Sequence, residues 1–366
     1  MDPALPARLD SILARAIRDS VAPGAALAVG RHGRLVHLRG YGRLDWASDA
    51  AAASESSLYD LASLTKVIAT TTAAMILEEE GRLVLDSAVR AYLPEFDAPD
   101  KAPITVRMLL THRGGLEAYA PLWRTLRGRN AYVAEINRRP LRSLPGTATV
   151  YSDWDMVLLG LVIERITCST LDQFTASRVF TPLGMLNTRF TPDTTDIGLR
   201  ARIASTARDT LRGGVLRGIV HDGNAWALGG VSGHAGLFST ARDVAVFAQM
   251  LLDGGWMDTV RIVRPAAIAR WTSPQGPDAS RALGWDTPAM NSSAGRFFSP
   301  RSLGHTGFTG TSVWIDPERG LFVVLLMNRV HSAGSSTRHT EVRRHIADAV
   351  QNAIIDAPLV EWEARR

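Results

Sequence analysis

The stretch DLASLTKVIATTTAAMILEEEG, residues 60–81, contains a serine and a lysine within one helical pattern. Apolar residues lie on most faces of its helical pattern, which predicts a buried helix from about Ser63 to Glu80. Gly81 follows, and glycine suits the left-handed residue that ends many helices. Ser63 and Lys66 are three positions apart, so their side chains share one helix face. The stretch therefore predicts a hydroxyl and an amine within reach of each other.

Lysine is rare in this chain, and that makes Lys66 informative. Of 41 basic residues, only Lys66 and Lys101 are lysine, which leaves 41 − 2 = 39 arginines. A serine needs an adjacent base to become a nucleophile, and a lysine can be that base if its pKa is lowered. Arginine cannot, because it stays charged. We therefore expect a catalytic Ser63–Lys66 pair. The alternative is a lysine whose stem covers apolar surface.

Length and composition exclude several classes of protein. The 366 residues correspond to about two domains. Hydrophobic residues make up 46% and charged residues 21%, as in an ordinary globular chain. The longest apolar runs, such as 321–327, have about seven residues, and a membrane helix needs about 20. A net charge of +5 is too weak a field to indicate nucleic acid as a partner, and the single Cys168 cannot form an internal disulfide.

The amino terminus MDPALPARLDSILARAIRDS opens with an acidic residue and continues as an amphipathic helix. It lacks a basic start before an apolar core, so no signal peptide is visible. We therefore expect a cytoplasmic protein for the chain as given, or a periplasmic or secreted one if a leader has been removed.

Strand patterns occur near both ends of the chain. The run AALAVGRHGRLVHLRGYGRLD, residues 25–45, predicts two strands that turn near His32 and Gly33. TSVWID and LFVVLLMN predict two more, joined by the turn Asp316–Gly320. These patterns predict one sheet built from both chain ends, with a helical region between them.

A last amphipathic helix is predicted after the second pair of strands. Ser336 or Thr337 would cap it, and the pattern continues to about Ile355.

Two further motifs carry reactive side chains. Tyr151-Ser152-Asp153 precedes a predicted helix, and a phenol beside a lysine ammonium can relay protons. The alternative for this motif is a helix cap with a packed tyrosine. His305-Thr306-Gly307 enters a predicted strand, where glycine allows the backbone to approach a ligand closely.

The order Ser-x-x-Lys, Tyr-x-Asp and a polar residue before Thr-Gly resembles the serine β-lactamase and penicillin-binding-protein superfamily. The resemblance is closest to its class C-like branch, which includes D-alanyl carboxypeptidases, D-aminopeptidases and family VIII carboxylesterases. It extends from about residue 10 to about 350. Supporting stretches are ITVRMLLTHRGGL, PLGMLNTRF, VHDGNAWALGGVSGHAGLFSTARD and GHTGFTGTSVWIDPERG.

The resemblance implies an α/β fold of the β-lactamase/transpeptidase type. Residues 1–80 and 228–366 would form an α/β domain, whose antiparallel sheet is flanked by the N- and C-terminal helices. Residues 81–227 would form an inserted all-helical domain, with the active site between the two.

The same resemblance implies roles for individual residues. Ser63 would be the nucleophile, Lys66 its base or pKa partner, and Tyr151 the group that passes the proton to the leaving group. Whether Lys66 or Tyr151 is the base during acylation stays open. The backbone N–H groups of Ser63 and Phe308 would form the oxyanion hole.

Two positions of the substrate-binding set Asp153, His305, Thr306 and Gly307 depart from the pattern of penicillin-active relatives. His305 replaces a lysine that helps to hold the substrate carboxylate, and Asp153 replaces an asparagine that contacts the substrate amide. A neutral His305 and an anionic Asp153 favour neutral esters or peptide-like amides. Asp153 could also pair with Lys66, which would favour the charged lysine and leave Tyr151 as the base.

Other motifs point away from metal and cofactor chemistry. The sequence has no His-Glu-x-x-His motif, no thiolate pair for zinc and no phosphate-binding loop, so we expect no metal and no cofactor. No serine has one glycine two residues before it and another two residues after it, which is the pattern that the nucleophile elbow of the α/β-hydrolases requires. His112 and His234 lie in glycine-rich turns, and each either makes a structural hydrogen bond or lines the site.

The sequence therefore predicts a metal-independent serine hydrolase that forms an acyl-enzyme with esters or D-amino-acid amides. One alternative is a β-lactamase or D,D-carboxypeptidase that acts on β-lactams or peptidoglycan peptides. Another is a catalytically silent binder of cell-wall ligands. The expected partner is a small ester or peptide-like substrate. Oligomeric state and physiological substrate are not readable from the sequence.

Overall fold

The structure is a computed structural model that describes residues 1–275, 280–289, 292–331 and 337–361. The helices are α1 Leu5–Arg18, α2 Thr72–Glu79, α3 Val106–Leu110, α4 Arg129–Arg138, α5 Asp153–Thr167, α6 Leu171–Thr175, α7 Ile197–Ala201, α8 Gly223–Ala227, α9 Ala241–Leu252, α10 Pro265–Thr272 and α11 Arg338–Asn352. The strands are β1 Gly24–Arg31, β2 Arg34–Gly42, β3 Tyr59–Asp60, β4 Arg189–Phe190, β5 Arg208–Asp209, β6 Gly214–Val215, β7 Leu237–Ser239, β8 Trp256–Met257, β9 Val260–Arg261, β10 Leu303–Thr306, β11 Ser312–Asp316 and β12 Leu321–Met327.

The main sheet has five strands in the order β10-β11-β12-β1-β2, and every neighbouring pair is antiparallel. Strand β1 lies inside the sheet and pairs with β12 from Ala25 opposite Met327 to Arg31 opposite Leu321. The predictions of strands at both chain ends, of the turn at His32 and Gly33, and of one shared antiparallel sheet are confirmed.

Both faces of the sheet are covered, which explains why β1 and β12 are apolar at nearly every position. Side chains alternate between the two faces of a strand. Leu27 and Val29 therefore pack with α1 and α11 on one face, and Ala26 and Ala28 face the core that contains α2, α5 and α9. The N- and C-terminal helices thus lie side by side on the face opposite the helical core.

The helix predicted from Ser63 to Glu80 is present but is not a uniform α-helix. Lys66–Thr71 forms a wider π-helical segment that continues into α2, and Gly81 ends the helix at a φ of 71°. The hydroxyl of Thr72 donates to the carbonyl of Val67, five residues back, at 2.9 Å. Such hydroxyl–backbone bonds compete with regular α-helical pairing, and the periodicity of apolar residues does not reveal them.

The C-terminal helix α11 ends at Asn352, three residues before the predicted Ile355. The side chain of Thr337 makes no capping hydrogen bond, and Ser336 lies outside the described residues.

The range 81–227 contains α3–α8 and also the two-residue strands β4, β5 and β6. Strands this short cannot produce a period-two pattern, so the sequence did not predict them. The division into domains at residues 81 and 227 stays a prediction. None of the described helices is both long enough and apolar enough to cross a bilayer.

Candidate active site

Ser63 lies on the tight turn that leads from β3 into the central helix. Lys66, one turn later, is completely buried. Its ammonium donates hydrogen bonds to Ser63 Oγ at 2.8 Å and to Asp153 Oδ1 at 2.8 Å, and a longer one to the carbonyl of His234 at 3.3 Å. The predicted contact between the serine and the lysine is present, and Asp153 completes a chain of three charged or polar groups.

The environment of Lys66 favours its charged form. Burial lowers the pKa of Lys66, but the charge of Asp153 and the interaction with Tyr151 outweigh burial and raise the pKa above its ordinary value. The lowered pKa that Lys66 would need to act as the base is therefore not favoured in this structure, because the carboxylate of Asp153 lies in contact with the amine. The pairing of Asp153 with Lys66, considered from the sequence, is observed.

Tyr151 forms one wall of the site. The Lys66 ammonium lies 4.8 Å from the centre of the Tyr151 ring, and the rings of His112 and His305 lie 4.7 and 5.9 Å away. Burial raises the pKa of the Tyr151 phenol, whereas Lys66 and the Ser63 hydroxyl lower it, and the net direction is upward. The Tyr151 phenol thus lies beside both Lys66 and Ser63, the two groups with which it would exchange a proton.

A buried pair behind Tyr151 was not predicted. His112 Nδ1 lies 3.1 Å from Asp155 Oδ2 and accepts the backbone N–H of Ser152 at 3.2 Å. Burial raises the pKa of Asp155 and lowers that of His112, so a protonated carboxyl faces a neutral imidazole. His112 makes a structural hydrogen bond here, and the second carboxylate of Asp-x-Asp at 153–155 was the available signal.

His305 is neutral, as the sequence analysis supposed. Its Nδ1–H donates to the carbonyl of Thr306 at 2.9 Å, whereas Nε2 is buried and has no partner among the described residues. The pKa of His305 is lowered to about 4, chiefly by burial; Asp286 opposes this shift, and the positive charges of Lys66 and Arg281 contribute to it. His305 therefore supplies no positive charge to a substrate at neutral pH.

The two predicted oxyanion donors belong to segments that are bonded to each other. Thr309 donates its hydroxyl to the carbonyl of Asp60 at 2.7 Å, and Thr311 donates to the carbonyl of Leu61 at 2.9 Å. Within the described ranges, the backbone N–H groups of Ser63 and Phe308 donate to no protein acceptor. Both are therefore available to a substrate oxygen.

Gly307 is required for packing of the protein itself. A Cβ at this position would lie 2.0 Å from Thr311 Oγ1 and 2.5 Å from the carbonyl oxygen of Leu61. The close approach predicted for this glycine is thus made by the segment that carries Ser63.

These residues open into a cavity of about 780 Å³. Its lining includes every predicted site residue except the buried Lys66, and it also includes Tyr119, Trp123, Arg212, Asp222, His234, Arg281, Asp286, Arg329, His339 and Arg343. His234 lines the site and also bonds to Asp222 through Nε2 at 2.8 Å and to Ser232 through Nδ1 at 2.8 Å. Apart from His234, no motif singled out these additional residues, because arginine is too common in this chain to be distinctive.

One set of ligand-type atoms lies close together in the cavity. Oxygen or nitrogen atoms of Asp153, Asp222 and His234 are within 4.8 Å of one another. Each of the carboxylates already has a partner, Lys66 for Asp153 and His234 for Asp222. Metal independence stays a prediction, which a chelator tests directly.

Comparison with known proteins agrees with this description of the fold. A family model described as Beta-lactamase matches residues 10–348. A protein of Escherichia coli (strain K12), provisionally named D-alanyl-D-alanine carboxypeptidase, is 35% identical over 309 residues, which cover 76% of this chain and 71% of that protein. A relative with the same provisional name from Escherichia coli O157:H7 is 33% identical over 349 residues, which cover 86% and 80%.

Solved structures share the fold over nearly the whole chain. EstCE1, a hydrolase with promiscuous acyltransferase activity, has a TM-score of 0.76 and 25% identity, with 95% of this chain and 98% of that chain covered. A penicillin-binding protein homologue from Caulobacter crescentus has a TM-score of 0.78 at 22% identity and covers 97% and 99%.

The fold and these matches define a class of enzyme, the serine hydrolases that work through an acyl-enzyme. The chain belongs to the β-lactamase family, as the match over residues 10–348 shows. The predicted superfamily, the β-lactamase/transpeptidase-like fold and the enzyme class are confirmed.

Proposed function

We propose that this protein is a metal-independent hydrolase that acylates Ser63 with esters or D-amino-acid amides. The observation that carries the proposal is the pair of 2.8 Å contacts by which Lys66 joins Ser63 to Asp153, beside Tyr151 in an open cavity. Lysine is retained there in a chain with 39 arginines, and a titratable amine is what arginine cannot replace.

Tyr151 is the proposed proton carrier, and Lys66 stays charged. Because the pKa of Tyr151 is raised, its side chain is a neutral phenol and acts as a relay. Ser63 Oγ attacks the substrate carbonyl, the Ser63 proton passes to the Tyr151 oxygen while the phenol gives its own proton to the leaving group, and the developing oxyanion accepts hydrogen bonds from the N–H groups of Ser63 and Phe308. The bond between the carbonyl carbon and the protonated leaving group then breaks. Water attacks the acyl-enzyme, its proton passes through Tyr151 to Ser63 Oγ, and the acid product leaves.

A D,D-carboxypeptidase is the second candidate, and the provisional names of the relatives from Escherichia coli favour it. In that case the substrate is a peptide that ends in D-alanine, and the chemistry at Ser63 is unchanged. Peptidoglycan lies outside the cytoplasm, so this candidate requires an exported protein and the ester candidate does not. Cell fractionation separates the two compartments.

The experiment is hydrolysis of p-nitrophenyl butyrate by the wild type and by Ser63→Ala, each assayed with and without a chelator. We expect turnover by the wild type and none by the variant, because the nucleophile is lost. Equal turnover by both proteins would refute Ser63, and a loss caused by the chelator would refute metal independence. Turnover by neither protein would remove the ester candidate and leave D-amino-acid peptides to be assayed in the same way.

A further inference from the structure

At one end of the active-site cavity, positively charged side chains outnumber negatively charged ones. Five charged residues of the lining have a partner of opposite charge or a histidine: Asp153 pairs with Lys66, Arg281 and Asp286 pair with each other, Arg212 pairs with Asp209, and Asp222 pairs with His234, all at 2.6 to 2.8 Å. In the part of the chain that the structure describes, Arg329 and Arg343 have no acidic partner.

Arg343 has bonding capacity left over after its contacts with the protein. It is 7% exposed, and its Nη2 donates to the carbonyl oxygens of Gly307 at 2.8 Å and Thr311 at 2.7 Å. Its Nε is buried without a partner, and Nη1 donates to no described residue. Guanidinium has five N–H donors, so most of them remain unused beside the oxyanion segment.

Arg329 makes no side-chain hydrogen bond with any described residue, and its Nε is buried. Its guanidinium lies 4.4 Å from the centre of the Phe308 ring, whose other neighbour is the ring of His221 at 5.5 Å. The pKa of Arg343 is lowered to about 9, chiefly by burial and in addition by the nearby charge of Arg329. The two guanidinium groups therefore repel each other.

We propose that Arg329 and Arg343 bind a carboxylate group of the substrate at the end of the cavity beside Phe308. A carboxylate accepts paired N–H donors from guanidinium groups, and it supplies the negative charge that the buried Arg343 and the partly buried Arg329 lack. The inference rests on the proposed function, since the site is part of the same cavity. It also changes the expectation drawn from His305: the position before Thr-Gly is neutral, but positive charge is supplied by residues 329 and 343.

The test compares two pairs of esters that differ by one charge. The first pair is 4-carboxyphenyl butyrate and its methyl ester, with the charge on the leaving group. The second pair is 4-nitrophenyl hydrogen glutarate and its methyl ester, with the charge on the acyl group. We measure the ratio of kcat/KM, charged over neutral, for the wild type, Arg329→Met and Arg343→Met.

In one of the two pairs, each substitution is expected to lower this ratio by about tenfold or more, as for loss of a charge-assisted hydrogen bond. That pair identifies the side of the scissile bond on which the carboxylate lies. Arg212→Met is the matched control, because it removes a cavity arginine that Asp209 already neutralises, and its ratio is expected to stay near the wild-type value. Ratios unchanged by both substitutions, or lowered equally by Arg212→Met, would overturn the proposal.

Two further measurements keep the result interpretable. Melting temperatures show whether Arg343→Met folds; if it does not, Arg329→Met decides, because that side chain makes no hydrogen bond with the described residues. Calorimetry with Ser63→Ala measures binding of 4-carboxyphenyl butyrate and of its methyl ester without turnover. If the wild type hydrolyses none of the esters, the proposed ester hydrolysis fails, and this comparison of Kd still tests the carboxylate site.

Discussion

Replacement of Asp153 by asparagine is expected to lower the pKa of Lys66 by about 1 to 3, the range for loss of an adjacent opposite charge. Asp153 lies 2.8 Å from the fully buried Lys66 ammonium, and it opposes the lowering effect of burial. Without the carboxylate, the lowering effect of burial is opposed mainly by Tyr151. The pKa of Lys66 then falls from its raised value toward the ordinary value for lysine, which is about 10.4.

The magnitude follows from the geometry. Two unit charges at 2.8 Å in an effective dielectric constant of about 20 interact by about 6 kcal/mol, which corresponds to a pKa change of about 4. Two effects reduce this upper limit. The amide oxygen of asparagine still accepts the Lys66 hydrogen bond, and the side chain of Asp153 is 17% exposed.

The chain allows this pKa to be read directly. Lys66 and Lys101 are its two lysines, so NMR of protein labelled at lysine Cε resolves one signal for each. Lys101 pairs with Asp100 at 3.0 Å and serves as the internal reference. Asp222→Asn is the matched control, because it removes a neighbouring carboxylate that is bonded to His234 instead of Lys66.

The rate profile of the same variant distinguishes the two candidate bases. If Tyr151 carries the proton and Lys66 must stay charged, Asp153→Asn loses kcat/KM on the alkaline side at a lower pH than the wild type, and the shift in pH equals the fall in the pKa of Lys66. If Lys66 is the base, kcat/KM at pH 7 rises by the factor that corresponds to its fall in pKa. A Lys66 signal that titrates at the same pH in the wild type and Asp153→Asn would refute the reasoning about the ion pair.

Three further predictions concern the surrounding segments. Phe308→Pro removes a backbone N–H that has no acceptor in the described protein, so kcat is expected to fall by about 10²- to 10³-fold; Phe308→Ala keeps the N–H and serves as the control in the same ester assay. Burial raises the pKa of Asp60 to about 6, above the unfolded value of about 3.9, so ionisation costs stability as the pH rises through this interval. In urea unfolding from pH 5 to 7.5, the wild type should therefore lose about 1 kcal/mol relative to Asp60→Asn, and parallel curves would contradict the burial argument. Gly307→Ala places a Cβ 2.5 Å from the Leu61 carbonyl, so it is expected to lower both Tm and kcat; an unchanged kcat would show that the two segments adjust independently.

The elements predicted best are those in which the same physical cause produces both the sequence pattern and the structure. The continuous apolar runs of β1 and β12 reflect two buried faces, and the spacing of Ser63 and Lys66 reflects one helical turn, so both were readable. The widened turn at Lys66–Thr71, which the Thr72 hydroxyl bond to the Val67 carbonyl accompanies, was not, because the periodicity of apolar residues does not reveal it.

The direction of the pKa shifts in the site was harder to predict than the identity of the residues that form it. The sequence placed Asp153 near Lys66 but left the direction of the lysine pKa open, since burial and the carboxylate act in opposite senses. Arg329 and Arg343 could not be selected among 39 arginines. Their significance depends on which arginines lack an acid nearby, and that is a property of the tertiary structure.

The pairing of β1 with β12 also determines when the enzyme can fold during its synthesis. Ala25 cannot pair until Met327, which is 302 residues later in the chain, has been synthesised. At translation rates of about 5 to 20 residues per second, this delay is about 15 to 60 seconds. Throughout this interval the β1–β2 hairpin lacks its central neighbour and exposes an apolar edge, a surface prone to wrong pairing. Phe308 also emerges long after Ser63, so the nascent chain carries the proposed nucleophile well before the second proposed oxyanion donor has been synthesised.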